Sequence, residues 1–120
     1  MNNNIVSNLV TLGFTKMLDN LYTLSLPNVL NATNQNIQVF VYEEDEKFYL
    51  SDNGDLVEEF DTVNINLDKA LIEIENILNG FNCKLSESKI VKEIDISNIK
   101  KELKSFLHAI TQVDLLYKNI

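Results

Sequence analysis

Apolar and polar positions alternate through "IQVFVY" (37–42), where Ile37, Val39 and Val41 share a face, and again through "KFYLS" (47–51), where Phe48 and Leu50 oppose Tyr49. Such alternation, with β-branched and aromatic content, predicts strands. The intervening "EEDE" (43–46) makes them a hairpin with an acidic tip. A longer period governs two other stretches. Leu67, Ala70, Leu71, Ile74, Ile77 and Leu78 form one stripe of a helix that starts at Asn66 and is terminated by Gly80, with Phe81 placed for a capping contact. Ile96, Ile99, Leu103, Phe106, Ile110, Val113 and Tyr117 alternate three- and four-residue spacings along a last helix, capped by Asp95 or Ser97 and widened by Leu107, Leu115 and Leu116. That stripe packs on the sheet or, alternatively, pairs with a second copy, since it just reaches the length a coiled coil requires.

The remaining pattern is weaker. Residues 4–18 read as a helix bearing Ile5, Leu9, Leu12, Phe14 and Leu18, unless Gly13 ends a shorter one. "LYTLSL" (21–26) reads as a first strand and 27–36, with the sole proline Pro27, as a loop. A short helix follows Asp55, turning Leu56, Val57 and Phe60 inward, and 82–86 with 89–95 form a second hairpin. The expected fold is a single α+β domain, 1–120. Its mainly antiparallel sheet is built from two hairpins, and N-terminal, central and C-terminal helices pack on it. A chain of 120 residues suffices for one real core.

Charge sharpens the picture. The net charge is −8, and all ten basic residues are lysine. Residues 43–61 hold nine acids against Lys47 alone, so the rest of the chain is neutral on balance. Such a protein is expected to repel nucleic acid, because binding to phosphate is driven by Lys and Arg. No apolar run approaches a membrane span. No basic leader precedes an apolar stretch, and Cys83 has no partner for an internal disulfide. These features place the chain in the cytoplasm.

Candidate chemistry centres on "FYLSDNGDLVEEF" (48–60). Asp55 with Glu58 has capping-box spacing. Gly54 suits a strained turn, and Asp52 and Asn53 are turn formers. All therefore have structural work at a corner. The rival reading is a divalent-metal site, of a hydrolase or nuclease kind, that joins Asp52 and Asp55 to the hairpin acids. Calcium-loop spacing is absent. His108 is the only histidine, which excludes a paired-histidine site, and Cys83 reads as a small buried residue. Phosphate-cradling glycine loops and nucleophile elbows are missing. No cofactor and no catalytic residue is expected. What remains is the acidic segment, either a solubilising face or a contact surface for a basic partner, made by Glu43, Glu44, Asp45 and Glu46, with Asp55, Glu58 and Glu59 if the fold brings them alongside.

"IQVFVYEEDEKFYLSDNGDLVEEF" (37–60) is similar to the signature of the family named domain of unknown function eighteen-twenty-eight. There a strand ending in Tyr turns back into Leu-Thr-Asp-x-Gly and a short helix. The corresponding residues are Leu50-Ser51-Asp52-Asn53-Gly54, with Ser51 in the Thr place, and "ILNGFNCKL" (77–85) and "LKSFLHAITQVDLL" (103–116) resemble later segments. The resemblance spans roughly 21–116. It departs at Pro27-Asn28-Val29-Leu30, where the family carries a Pro-Phe-Leu-Asp-like stretch. The resemblance implies a phage, prophage or mobile-element setting and supplies no reaction. The resulting expectation is a non-catalytic acidic module that binds a basic protein, such as a phage-encoded inhibitor of a bacterial defence or nucleic-acid enzyme. The alternatives are the metal-dependent hydrolase and a homo-oligomer paired through the 96–117 helix.

Overall fold

Gly13, at φ 105°, ends the first helix far earlier than its apolar residues suggest. The computed structural model describes residues 1–30, 36–62 and 67–118, without the side chains of 27–30, 59–62, 67, 117 and 118. Helix α1 (Asn3–Thr11) starts where the Asn2 side chain accepts the Ile5 N–H at 2.9 Å. The chain then enters β1 (Thr15–Leu18), not the second half of a helix. Every residue of β1 is exposed, so no alternation marked it as a strand. Strand β2 (Leu21–Leu30) also outruns expectation, since Pro27 through Leu30 are strand rather than loop. Pairing with β3 is interrupted between Leu26 and Leu30. Pro27, which lacks an N–H for the ladder, sits in that break. The rest of the expected loop, 31–35, lies outside the described residues, as does the expected helix start at Asn66.

Strands β3 (Asn36–Glu44) and β4 (Lys47–Ser51) form the predicted hairpin, followed by α2 (Asp55–Thr62) and α3 (Leu67–Asn79). Strands β5 (Lys84–Ser86) and β6 (Lys89–Ile94) form the other hairpin. A 3-10 turn (Ile96–Asn98), whose first N–H groups are capped by Asp95, leads into α4 (Ile99–Lys118). After α3 the left-handed position is taken by Asn82 (φ 57°) rather than by Gly80. Phe81 still packs on the core as its capping role requires.

The six strands make one sheet in the order β1-β2-β3-β4-β6-β5, with every neighbouring pair antiparallel. The architecture is α+β, richer by one strand, β1, than the first strand and two hairpins expected. Register fixes the faces. Tyr22, Val41, Leu50 and Lys92 lie in one row across the sheet, and Leu24 opposite Val39 and Phe48 opposite Ile94 share their side. All four helices reach the core on that side, through Leu9 of α1, Leu56 of α2, Ile74 and Leu78 of α3, and Phe106, Ile110 and Val113 of α4. Burying large apolar side chains of this kind stabilises by about 1.5–3 kcal/mol each. The other side carries Leu21, Tyr42 and Tyr49 in one row and Thr23, Phe40, Ser51 and Val91 in the next. None of these belongs to the core cluster.

Candidate interaction surface and the Asp52 corner

The corner after β4 is built by hydrogen bonds. Asp52 is only 2% exposed. Its Oδ1 accepts the N–H groups of Gly54 and Ile90, each at 2.9 Å, and its Oδ2 accepts that of Leu56 at 3.2 Å. Its own N–H donates to the Ile90 carbonyl at 3.2 Å. Asp52 and Ile90 thus extend the β4–β6 ladder by one step, with a carboxylate oxygen standing in for a carbonyl. The Ser51 hydroxyl accepts the Asn53 N–H at 3.0 Å, a bond that threonine would make equally well. Asn53 (φ 60°) and Gly54 (φ 88°) take the two left-handed positions. Burial pushes the Asp52 carboxyl above its ordinary range against the pull of the amides, and burial together with the nearby Asp52 and Glu58 does the same to Asp55. With both oxygens committed to amides, Asp52 has little left for a cation. Among the described residues no three His, Cys, Asp or Glu side chains gather as a metal site.

The hairpin acids divide among different surroundings. Glu43 and Glu44 belong to β3 itself, so the tip is the two-residue turn Asp45-Glu46. Glu43 is half-buried and lies 3.6 Å from the Met1 amino group. Glu44, Asp45 and Glu46 are exposed. Asp55 and Glu58 are exposed as well, but they follow the other end of β4. The strand alone separates the two groups by about 13 Å. The Glu59 side chain lies outside the described residues.

Beside the hairpin, the helix-free side of the sheet holds a groove of about 600 Å³. Its lining is mixed, with Met17, Leu21, Phe40, Tyr42 and Val91 beside the polar Glu44, Ser51, Asn53, Ser86, Glu87 and Lys89. No helix residue lines it. Next to it Tyr42 and Tyr49 stack with ring centroids 5.1 Å apart. Met17 and Leu18 on the edge strand are 53% and 65% exposed, so the apolar character continues to the rim. The outward aromatics of β3 and β4 were the sequence signal for this face, because those strands carry large side chains at both parities.

The other candidates have structural duties. Cys83 is buried, donates to the Phe81 carbonyl at 3.6 Å, and has its thiol pushed up to about 11, chiefly by burial. His108 is exposed and meets Phe81 edge-on at 5.0 Å. The α4 stripe is turned inward, with Ile99, Phe106, Ile110 and Val113 all buried in this chain's own core. Periodicity alone also passed over Lys92. It occupies an inward position between Ile90 and Ile94, and its Nζ reaches Glu102 at 3.3 Å and Ser105 at 3.1 Å on α4. A lysine at an inward strand position was the available clue.

With this geometry in place, comparison with known families gives a match over residues 29–113 to the one described as Domain of unknown function DUF1828. The chain belongs to the DUF1828 family. The DUF1828 match takes in the hairpin, the Asp52 corner, both central helices and most of α4, while α1 and β1 lie before it. No curated protein and no solved structure matches the chain. The corner gives Leu50-Ser51-Asp52-Asn53-Gly54 of this chain a physical meaning: one hydroxyl, one carboxylate and two left-handed residues turn β4 into α2 and pin β6 beside it.

Proposed function

We propose that this chain is a non-catalytic, cytoplasmic binding module that docks a basic protein on its acidic β3–β4 hairpin and the bare sheet face beside it. A phage- or prophage-encoded inhibitor of a basic bacterial defence or nucleic-acid enzyme fits this surface. The observation that carries the reading is the hairpin turn. Both turn residues adopt positive φ, Asp45 at 53° and Glu46 at 64°. A two-residue turn of that kind favours Asn-Gly or Asp-Gly, so Asp45 suits its place, and Glu46 takes the second position as Ser88 does in the matching turn of the β5–β6 hairpin. The turn thus holds two exposed carboxylates in a fixed geometry. They sit at the tip of a paired hairpin, next to exposed Glu44 and the Tyr42–Tyr49 stack. Fixed carboxylates beside an aromatic surface suit lysine- and arginine-rich partners, through steering and cation–π contact.

The test reverses Glu44, Asp45 and Glu46 to lysine and leaves Glu43 in its ion pair. Both proteins are immobilised and exposed to bacterial lysate at low and moderate salt, and the retained proteins are identified by mass spectrometry. A basic, nucleic-acid-handling protein held by the wild type and lost from the reversed form is the expected result. Equal retention by the folded variant would refute the reading.

A further inference from the structure

The geometry points to a second binding site, for a phosphorylated small molecule, in the cleft between α1 and the start of α4. This cleft measures about 660 Å³, within the range of ligand pockets, roughly 300–1,000 Å³. One wall is Asn8 and Leu12 of α1, and the facing wall is Ile99, Lys100, Lys101 and Lys104 of α4. Among the described residues that line it there is no carboxylate. In a chain of net charge −8, this is a local reversal of sign.

The lysines are placed as a group. At about 100° per residue, Lys100, Lys101 and Lys104 fall within one ~100° arc of α4, and Lys100 and Lys104 are about 6 Å apart along its axis. Like charges at three- and four-residue spacing disfavour a helix. Among the described residues, none of the three side chains has an acidic partner, whereas Lys16, Lys47 and Lys92 pair with Asp19, Glu93 and Glu102. An anion in the cleft would relieve that repulsion. The nearest α4 acid, Glu102, is turned to Lys92 and to the Asp95 N–H, which it accepts at 3.1 Å. The helix terminus itself adds nothing free, because Asp95 already accepts the Ser97 N–H at 3.0 Å. The half-buried Leu12 offers an apolar seat for the body of a ligand, and the Asn8 amide a hydrogen-bonding edge. Three cations within so short a span match one or two phosphate groups. A nucleic-acid polymer would bring its backbone against the chain's overall negative charge, so the small ligand is favoured. Because α1 precedes the family match, one wall belongs to the part of the chain outside it.

The experiment is a pair of NMR titrations of isotope-labelled protein at fixed ionic strength, one with inorganic pyrophosphate and one with ADP. Amide shifts confined to residues 8–12 and 97–104 are expected with both. Tighter binding of ADP would show that the apolar seat contributes, and equal affinity would place recognition in the phosphates alone. Replacing Lys100 and Lys104 by Gln should raise the dissociation constant about tenfold or more. The Lys84→Gln, Lys89→Gln control, at the β5–β6 hairpin, should leave it unchanged. The absence of cleft shifts at millimolar concentration would overturn the proposal, and so would equal weakening by the control pair.

Discussion

Asp52 is the residue on which two distant parts of the chain agree. Its carboxylate serves Gly54 and Leu56 at the start of α2 and Ile90 on β6. Asp52→Asn should keep the two bonds to one oxygen and set an NH₂ group against the Leu56 N–H, at a cost of about 1–3 kcal/mol, while Asp52→Ala should cost more, about 3 kcal/mol or above. Urea unfolding monitored by circular dichroism would measure both, and a neutral Asp52→Ala would show that the corner stands without its staple. Cys83 permits a pH prediction. Its folded pKa, about 11, lies above its ordinary 9.0, so the neutral thiol is favoured by folding. That contribution to stability is complete below the ordinary value and is lost as pH rises through about 11. At neutral pH, labelling of Cys83 by a disulfide reagent should follow opening of the fold and become faster in urea. Rapid labelling in native buffer would contradict its burial. At this scale the sequence was partly legible. Turn residues marked the corner, but the cap is made by Asp52 rather than by Asp55, which lies inside α2, and the partnership of Asp52 with Ile90 is tertiary, so no local pattern encodes it.

Between elements, a polar tie joins the sheet to the last helix. Lys92 on β6 meets Glu102 and Ser105 on α4, with side-chain exposures of 8% for Lys92 and 21% for Glu102. The two partners should not be equivalent. Lys92→Met leaves Glu102 near water and still bonded to the Asp95 N–H. Glu102→Met leaves a buried cation with only a hydroxyl close by. Glu102→Met should therefore destabilise by about 3 kcal/mol and Lys92→Met by clearly less, with the double replacement by methionine close to neutral. A double-mutant cycle in urea would decide it, and the reverse ranking would disprove the assignment. Elements with one buried and one exposed face were readable from periodicity, as α3, α4 and the β3–β4 hairpin show. Strand β1 was not, because an edge strand exposed throughout has no buried face to impose alternation. Nor was the extension of β2 past Pro27, where neighbouring pairing outweighs a loop-like composition.

For the whole molecule, the layered arrangement sorts the functional readings. Helices cover one side of the sheet, and the α4 stripe is consumed in doing so, so pairing of two α4 helices would require the core to open. The uncovered side holds the aromatic row and the acidic hairpin, and the cleft with the lysines lies apart, between α1 and α4. Among the described residues no helix is long and apolar enough to cross a membrane. The sequence revealed the charge imbalance but not its partition, since whether acids adjacent in the chain share a surface depends on which end of β4 each occupies. Strand order carries one further consequence, for the rate of folding. Every neighbouring pair of strands is a hairpin except β4 and β6, which are separated by both central helices and β5. Hairpins close short loops within microseconds, whereas joining β6 to β4 first requires the intervening chain to be gathered at an entropic cost. The slow event in assembly is then the meeting of Asp52 with Ile90. A weakened Asp52 should retard folding as well as lower stability, making this turn a kinetic latch.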